Sequence, residues 1–320
     1  MSKIFDLINE LCPDGVKFDE IGVICKSLAK GTLKQENLVD KGAYPVVNSS
    51  RDYYGFYDKY NNEANAFTVA SRGEYAGFVK FIDCKFWAGG LCYPYTSNDE
   101  EYVLTKFIFY FLKSIEKKNM DILVARGSIP ALNKSDIDKV KIPVPPIEVQ
   151  REIVLILDSF TLLTAELTAE LTARKKQYEY YRDELLKPKA NIPMVKLKEI
   201  ATSIYRGAGI KRDQVTEEGI PCVRYGEIYT TYNTWFGECV SHTKEEYIPS
   251  PKYFEHGDIL FAITGESVED IAKSIAYVGH DKCLAGGDIG VMKHEQNPRY
   301  LAHVLNTSMA REKKSKGKVK

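Results

Sequence analysis

The 320-residue sequence predicts an α+β protein in which two mixed α/β domains are joined by a long coiled-coil-type helix. Three observations predict it. Between Pro146 and Pro188 the chain has no glycine and no proline, and its apolar residues recur every three or four positions. On either side, short β-branched and aromatic runs alternate with Gly-, Asn- and Asp-containing turns, the pattern of short strands. The anchors of the first flank then return in the same order in the second, the mark of an internal duplication. These features place a first domain over residues 1–145, a spacer helix over 146–188 and a second domain over 189–320.

In the first domain, Ser2–Leu11 has the spacing of a short amphipathic helix, ended by the turn Cys12-Pro13-Asp14-Gly15. Phe18–Ile21 starts a strand or short helix. Tyr44–Val47 reads as a strand, Asn48–Asp52 as a polar loop and Tyr53–Tyr57 as an aromatic strand. Ala66–Ala70 is a buried strand that turns at Ser71-Arg72-Gly73-Glu74 into a further strand, Gly77–Asp83. Phe86–Gly90 and Tyr93-Pro94-Tyr95 follow. Tyr102–Lys117 is a helix, and Val140–Val144 leads into the spacer.

Pro145 and Pro146 stand where a first helical turn tolerates a missing N–H, and Pro188 stops the helix. About 40 residues at 1.5 Å each make a rod of ~60 Å. Ile153, Leu157, Phe160, Thr164, Leu167, Leu171, Arg174, Tyr178, Tyr181 and Leu185 are spaced alternately four and three apart. That is the seam of a coiled coil, with Thr164 and Arg174 as polar exceptions, and such a seam needs a partner helix. Inside it Thr164–Leu167 and Thr168–Leu171 each read TAEL, and Thr172-Ala173 begins a third copy. One such unit adds ~6 Å and ~40° of rotation to the rod.

The second domain restarts the programme of the first. Val195–Ile200 answers Lys17–Ile21, Gly219–Arg224 answers Ala43–Val47, and Gly257–Ala262 answers the strand containing Phe67. Thr264-Gly265-Glu266 falls near the Ser71–Glu74 turn, Leu284–Gly287 answers Trp87–Gly90, and Arg299–Asn306 answers the Lys106–Lys113 helix. Lys316-Gly317-Lys318 falls near Arg126-Gly127-Ser128. Nothing then corresponds to Pro130–Lys187, so the second copy is expected to be incomplete.

PPIEVQREIVLILDSF, followed by LTAELTAELTARKKQYEYYRDELL, resembles the central conserved region of the DNA-specificity (S) subunits of Type I restriction-modification systems, in the branch with tetrapeptide repeats. The likeness extends in architecture to the whole chain. It implies two target-recognition domains that each read part of a bipartite DNA target, with the repeat count setting the spacer. It implies double-stranded DNA and two methyltransferase (M) subunits as partners, with restriction (R) subunits reached through them. The complex would methylate adenine or cut unmethylated DNA. No cofactor is expected in this chain; S-adenosylmethionine, ATP and Mg²⁺ would belong to the partners. The family's second conserved helix, antiparallel to the first, is missing here, so the exposed seam is expected to pair with its copy in a second chain.

Composition bounds the alternatives. Lys plus Arg and Asp plus Glu both number 44, so the net charge is zero, which leaves room for a local basic patch and none for a strongly polyanion-binding whole. Seven cysteines, Cys12, Cys25, Cys84, Cys92, Cys222, Cys239 and Cys283, are odd in number and without CxxC spacing, the usage of reduced thiols in a cytoplasmic protein. The N-terminus lacks the apolar core of a signal peptide. Phe107–Leu112 and Ile153–Leu157, the most apolar runs, are too short to span a membrane.

Catalytic and metal motifs are wanting. There is no P-loop, the third glycine of a dinucleotide fingerprint is Arg212 after Gly207 and Gly209, and the Asn-Pro-Pro-aromatic motif of adenine methyltransferases is absent. His280-Asp281-Lys282-Cys283 offers too few ligands for zinc. Asp14 with Glu116, Lys117 and Lys118 makes only a loose nuclease pattern. No metal site and no enzyme activity are expected.

What remains is recognition chemistry on loops. Arg, Asn and Gln read base edges, while Lys, Ser, Thr and Tyr hold phosphates. The candidates are Asn48, Ser50, Arg51, Tyr53, Ser71, Arg72, Lys85 and Trp87 in the first domain. In the second they are Arg206, Lys211, Arg212, Arg224, Tyr225 and Thr264. Two rival readings stay open on residues alone: a coiled-coil interaction protein without DNA binding, and an inactive truncated specificity variant.

Overall fold

The computed structural model describes residues 2–117, 121–189, 192–264, 271 and 273–315. The chain divides into two compact units, Met1–Thr168 and Ala169–Lys320.

The first unit runs α1 (Ser2–Leu11), β1 (Lys17–Glu20), α2 (Ile21–Ile24), β2 (Cys25–Ser27), β3 (Tyr44–Val47), β4 (Gly55–Tyr57), β5 (Ala66–Ala70), β6 (Val79–Ile82), β7 (Trp87–Ala88), β8 (Cys92–Ser97) and α3 (Thr105–Ile115). Then come α4 (Asp121–Leu123), α5 (Lys134–Asp138), β9 (Lys141–Val144) and the start of α6 (Ile147–Leu185). The expected Phe18–Ile21 element is both things at once, a strand that passes directly into a helical turn. The aromatic strand is shorter than expected: Tyr53 and Tyr54 stay in the loop.

Three sheets carry this unit. One is antiparallel with order β2-β8-β5-β6, one has order β4-β3-β7 with β3 and β7 parallel, and β1 pairs with β9. β5, Ala-Phe-Thr-Val-Ala, is buried at every position because its sheet is covered on both faces. The amphipathic α3 adds Phe107, Ile108 and Leu112 to a core with Phe67, Val69 and Tyr95. The β1–β9 ribbon joins entry to exit: Lys17 lies opposite Val144 and Glu20 opposite Lys141.

α6 is anchored by a residue that periodicity passes over. Gln150 is fully buried. Its Nε2 donates to the carbonyls of Pro145 (2.8 Å) and Tyr102 (3.0 Å), and its Oε1 accepts from the Leu104 N–H at 2.9 Å. Two turns on, Asp158 accepts from Lys106 Nζ at 2.9 Å and from the Tyr110 hydroxyl at 2.6 Å. Gln150→Leu keeps the volume and strands all three of Gln150's partners. Stability is expected to fall by ~2–4 kcal/mol, read as a lower urea midpoint at unchanged slope.

Past this anchor the seam is open. Ile153 is half-buried against the core and Leu157 is half-buried, but Phe160, Leu167, Leu171, Tyr178, Tyr181 and Leu185 are all exposed. Thr164, a polar exception in the seam, donates its hydroxyl to the Phe160 carbonyl one turn back at 2.8 Å. It therefore brings no unsatisfied polar group to an apolar contact.

The second unit holds the end of α6, then α7 (Leu197–Ile200), β10 (Ala201–Arg206), β11 (Val215–Thr216), β12 (Ile220–Val223), α8 (Tyr225–Thr230), β13 (Trp235–Phe236), β14 (Ser241–Thr243), β15 (Tyr253–Phe254) and β16 (Ile259–Ala262). β17 (Ser274–Tyr277), β18 (Cys283–Ala285), β19 (Ile289–His294), α9 (Pro298–Leu305) and α10 (Ser308–Ser315) complete it. Its sheets are β10-β19-β16-β17-β13 and β11-β14-β12-β18-β15.

The topology repeats. The order β10-β19-β16-β17 reproduces β2-β8-β5-β6, and the parallel pair β12–β18 reproduces β3–β7. Registers fix the equivalences: Val47 opposite Ala88 matches Val223 opposite Ala285, and Ala70 opposite Cys92 matches Ala262 opposite Ile289. One expected match shifts. α7 runs straight into β10 as α2 runs into β2, so Leu197–Ile200 corresponds to Ile21–Ile24, not to residues ending at Ile21. Both segments end on an isoleucine, Ile21 and Ile200, so residue type alone does not separate the two matches.

Candidate nucleic-acid interface

In each unit, several chain segments leave the sheets at one end. In the first unit these follow β2, β3, β5 and β7. Three backbone bonds tie them: Gly31 N–H to the Ala88 carbonyl (2.9 Å), Gly89 N–H to that of Val47 (2.8 Å) and Ser71 N–H to that of Leu91 (2.9 Å). The second unit makes the same three, Ala208 to Ala285 (2.9 Å), Gly286 to Val223 (2.8 Å) and Ile263 to Asp288 (3.0 Å). A common frame thus carries loops of unrelated sequence.

On the first frame, Arg51 lies over the Tyr75 ring at 5.0 Å. Lys80 Nζ lies 3.9 Å from the centre of the Tyr53 ring and donates to the Arg51 carbonyl at 2.9 Å. Burial holds this ammonium below the ordinary lysine range. Tyr53, Tyr54, Arg51 and Arg72 are exposed. The Ser50 hydroxyl donates to the Asp52 carbonyl at 2.7 Å and so shapes the loop.

Several sequence candidates are placed otherwise. Asn48 is half-buried, and its Oδ1 accepts from the Leu91 N–H at 2.9 Å, which ties two loops together. Ser71, expected on an exposed turn, is buried. Trp87 is not a loop residue: it begins β7, meets Tyr57 edge-on at 5.3 Å and presses on Gly31, where no side chain would fit. Lys85 stands at the opposite end of the β3–β7 pair, held by the Tyr60 hydroxyl (3.0 Å) and Glu63 (3.2 Å). Glu116, the acid of the loose nuclease pattern, is an edge cap that accepts from the Val79 N–H at 2.9 Å and Lys113 at 2.7 Å.

In the second unit Arg224 is likewise committed. Its guanidinium donates through Nε (3.0 Å) and Nη2 (2.9 Å) to Glu227, whose buried carboxylate also accepts from Ser241 at 2.6 Å. Arg224 neutralises a buried charge, a duty that removes it from free base reading. Tyr225, Lys211, Arg212 and Thr264 are exposed. Arg206 is exposed at the end of β10, where it donates to the Gly287 carbonyl and Asp288. Gly265 and Glu266 lie outside the described residues.

Among the described residues no three His, Cys, Asp or Glu side chains gather as a metal site. Burial pushes the thiols of Cys25, Cys92 and Cys222 up to about 12, which keeps them protonated. No described helix is long and apolar enough to cross a membrane.

A family model, the Type I restriction modification DNA specificity domain, matches residues 13–174, half of the chain. The chain belongs to this family. A Type I restriction enzyme specificity subunit of Escherichia coli is 33% identical over 191 residues, covering 54% of this chain and 45% of the relative. A Haemophilus influenzae protein, provisionally named as such a subunit, is 26% identical over 292 residues, covering 83% of this chain and 73% of the relative. The chain thus matches about half the length of the Escherichia coli relative. The crystal structure of a Type I restriction-modification S subunit from M. genitalium shares the fold, with a TM-score of 0.60 at 19% identity over 94% of this chain and 80% of that one.

In this specificity-domain chain, sequence reading passed over two basic residues at the loop end, Lys30 and Lys80. Lys80 sits inside β6, where the sequence shows only a strand residue. Lys30 precedes Gly31, and that Lys-Gly step after a short strand was the available signal.

Proposed function

We propose that this chain supplies the DNA address of a Type I restriction-modification complex and performs no catalysis itself. Each unit reads one part of a bipartite target. Arg51, Tyr53 and Arg72 are the proposed DNA contacts of the first unit; Arg206, Lys211, Arg212, Tyr225 and Thr264 are those of the second. The proposed domain limits are 1–145, 146–188 and 189–320. The α6 seam docks the methyltransferase subunits and pairs with the seam of a second copy. Restriction subunits join through the methyltransferases, and those partners bring S-adenosylmethionine, ATP and Mg²⁺. The assembly works in the cytoplasm, where its DNA is.

The observation that carries this reading is the doubled frame with undoubled loops. Two copies of one scaffold that keep their backbone bonds and differ in their loops suit two readers of different sequences. A coiled-coil scaffold without DNA binding gives no reason for that combination.

The test is co-expression with the methyltransferase subunits in a methylation-free host, followed by mapping of modified adenines. An asymmetric bipartite motif is expected if both units of one chain read DNA. A palindromic bipartite motif means that two chains pair and one unit reads both halves. No motif, with partners active beside an intact specificity subunit, refutes the reading.

A further inference from the structure

Both units place a cation on the same backbone atom. In the first, Lys30 Nζ donates to the carbonyl of Gly90 at 3.2 Å and lies over the Tyr93 ring at 4.6 Å. In the second, Arg206 Nε donates to the carbonyl of Gly287 while its Nη2 pairs with the half-exposed carboxylate of Asp288, leaving the other guanidinium N–H groups for a ligand. Gly90 and Gly287 are equivalent, each second in the Gly-Gly turn that follows the parallel strand β7 or β18. The cations are not equivalent. Gly31 and Ala208 make the same backbone bond, so Lys30 corresponds to Gly207 and Arg206 to Ala29. Different residue types, one position apart, reach one carbonyl. This is not an identity left over from the duplication.

We infer that these two clamps, Lys30 on Gly90 and Arg206 on Gly287, each hold a DNA backbone phosphate, one in each part of the target. The inference rests on the DNA-reading function proposed above. Two readers of different sequences need different contacts to bases, and their loops differ. What they share must meet what the two sequences share, and that is the phosphate backbone. Both cations are exposed and sit at the loop end of the frame. An ammonium has three donors and a guanidinium five, so the clamp bonds fix each cation without using its full donor set. The first turn also admits close approach, since a Cβ on Gly90 would meet nothing within 4 Å; at the second, the backbone of Gly209 lies 3.0 Å from where a Gly287 Cβ would stand, so there the phosphate is reached through the Arg206 side chain alone.

The experiment uses the full chain assembled with its methyltransferase subunits and a labelled duplex carrying the mapped methylation site. The slope of log affinity against log salt is measured for the wild type, Lys30→Gln, Arg206→Gln, Lys30→Arg, Arg206→Lys and Lys85→Gln. Each clamp Gln variant is expected to flatten the slope by ~0.9, the loss of one phosphate contact. The charge-keeping variants retain the slope. So does Lys85→Gln, since Lys85 lies at the other end of the sheet. The mapped motif stays the same throughout. Unchanged slopes in the clamp variants, or an equal change in Lys85→Gln, overturn the inference while leaving the DNA-reading function intact. A wild-type complex that does not bind the duplex overturns both. Thermal midpoints separate a mere turn latch, which would lower the midpoint and leave the slope alone.

Discussion

Replacing both Leu167 and Leu171 by glutamate is expected to release the chain from its helical partner and leave each unit folded. Each leucine is 56% exposed in the single chain, so neither supports a core. In a paired seam each would give up ~1.5–3 kcal/mol of apolar burial on replacement, and glutamate adds the cost of desolvating a charge. Together the two sites are worth ~4 kcal/mol or more, about a thousandfold in affinity. In a symmetric dimer the loss doubles because both chains carry it. Sedimentation velocity at micromolar concentration should then give a monomer where the wild type gives a dimer, with unchanged far-ultraviolet dichroism and thermal midpoint. A wild type that is already a strict monomer, or a variant that still pairs, sinks the proposed seam. Leu→Met at both sites keeps volume and hydrophobicity and should keep pairing.

That seam was legible because a helix advertises itself over many residues. Absence of Gly and Pro, proline punctuation and alternating four-three spacing all point one way, and α6 ends within a few residues of its predicted limits. The duplication was legible for a similar reason: β-strand anchors such as Val46-Val47 and Cys222-Val223 keep their apolar type because both residues of each pair are buried. Loop chemistry was not legible, since the partner of a polar side chain is chosen by the fold. Arg224 looks like a free base reader until Glu227 is seen to be buried beside it. Asn48 and Ser71 look like loop residues until their neighbours across the sheet end, Leu91 and Leu132, are known. Trp87 looked like an aromatic contact because no local pattern announces the glycine, Gly31, on which its ring rests. The Lys30 and Arg206 clamps were hidden for the same reason, because their common acceptor lies some sixty to eighty residues away in sequence.

The second large effect concerns Gly207, the residue after Arg206. A Cβ built there would come closer than 3.0 Å to the backbone oxygens of Gly286 and Ala285. Both obstacles are main chain, so no rotamer change relieves the clash. Gly207 N–H also donates to the Ile289 carbonyl at 2.8 Å, and the next residue, Ala208, bonds Ala285. Gly207→Ala must therefore push the end of β10 away from β18 and β19 and strain both bonds. The expected cost is ~3–5 kcal/mol, overpacking plus stranded backbone groups, a large part of the ~5–15 kcal/mol that holds a domain together. Chemical denaturation should show a markedly lower midpoint, and amides of β10 should exchange faster. Gly226→Ala is the control. It lies inside α8, where its Cβ would meet only the Tyr229 hydroxyl at 3.8 Å, and it should stabilise by ~0.5–1 kcal/mol through helix propensity. If Gly207→Ala instead behaves like the control, β10 does not lie against the Gly-Gly turn, and the Arg206 clamp loses its geometric basis. The two measurements are thus linked: the tight packing that makes Gly207 intolerant of a side chain is what brings the Arg206 guanidinium onto the Gly287 carbonyl.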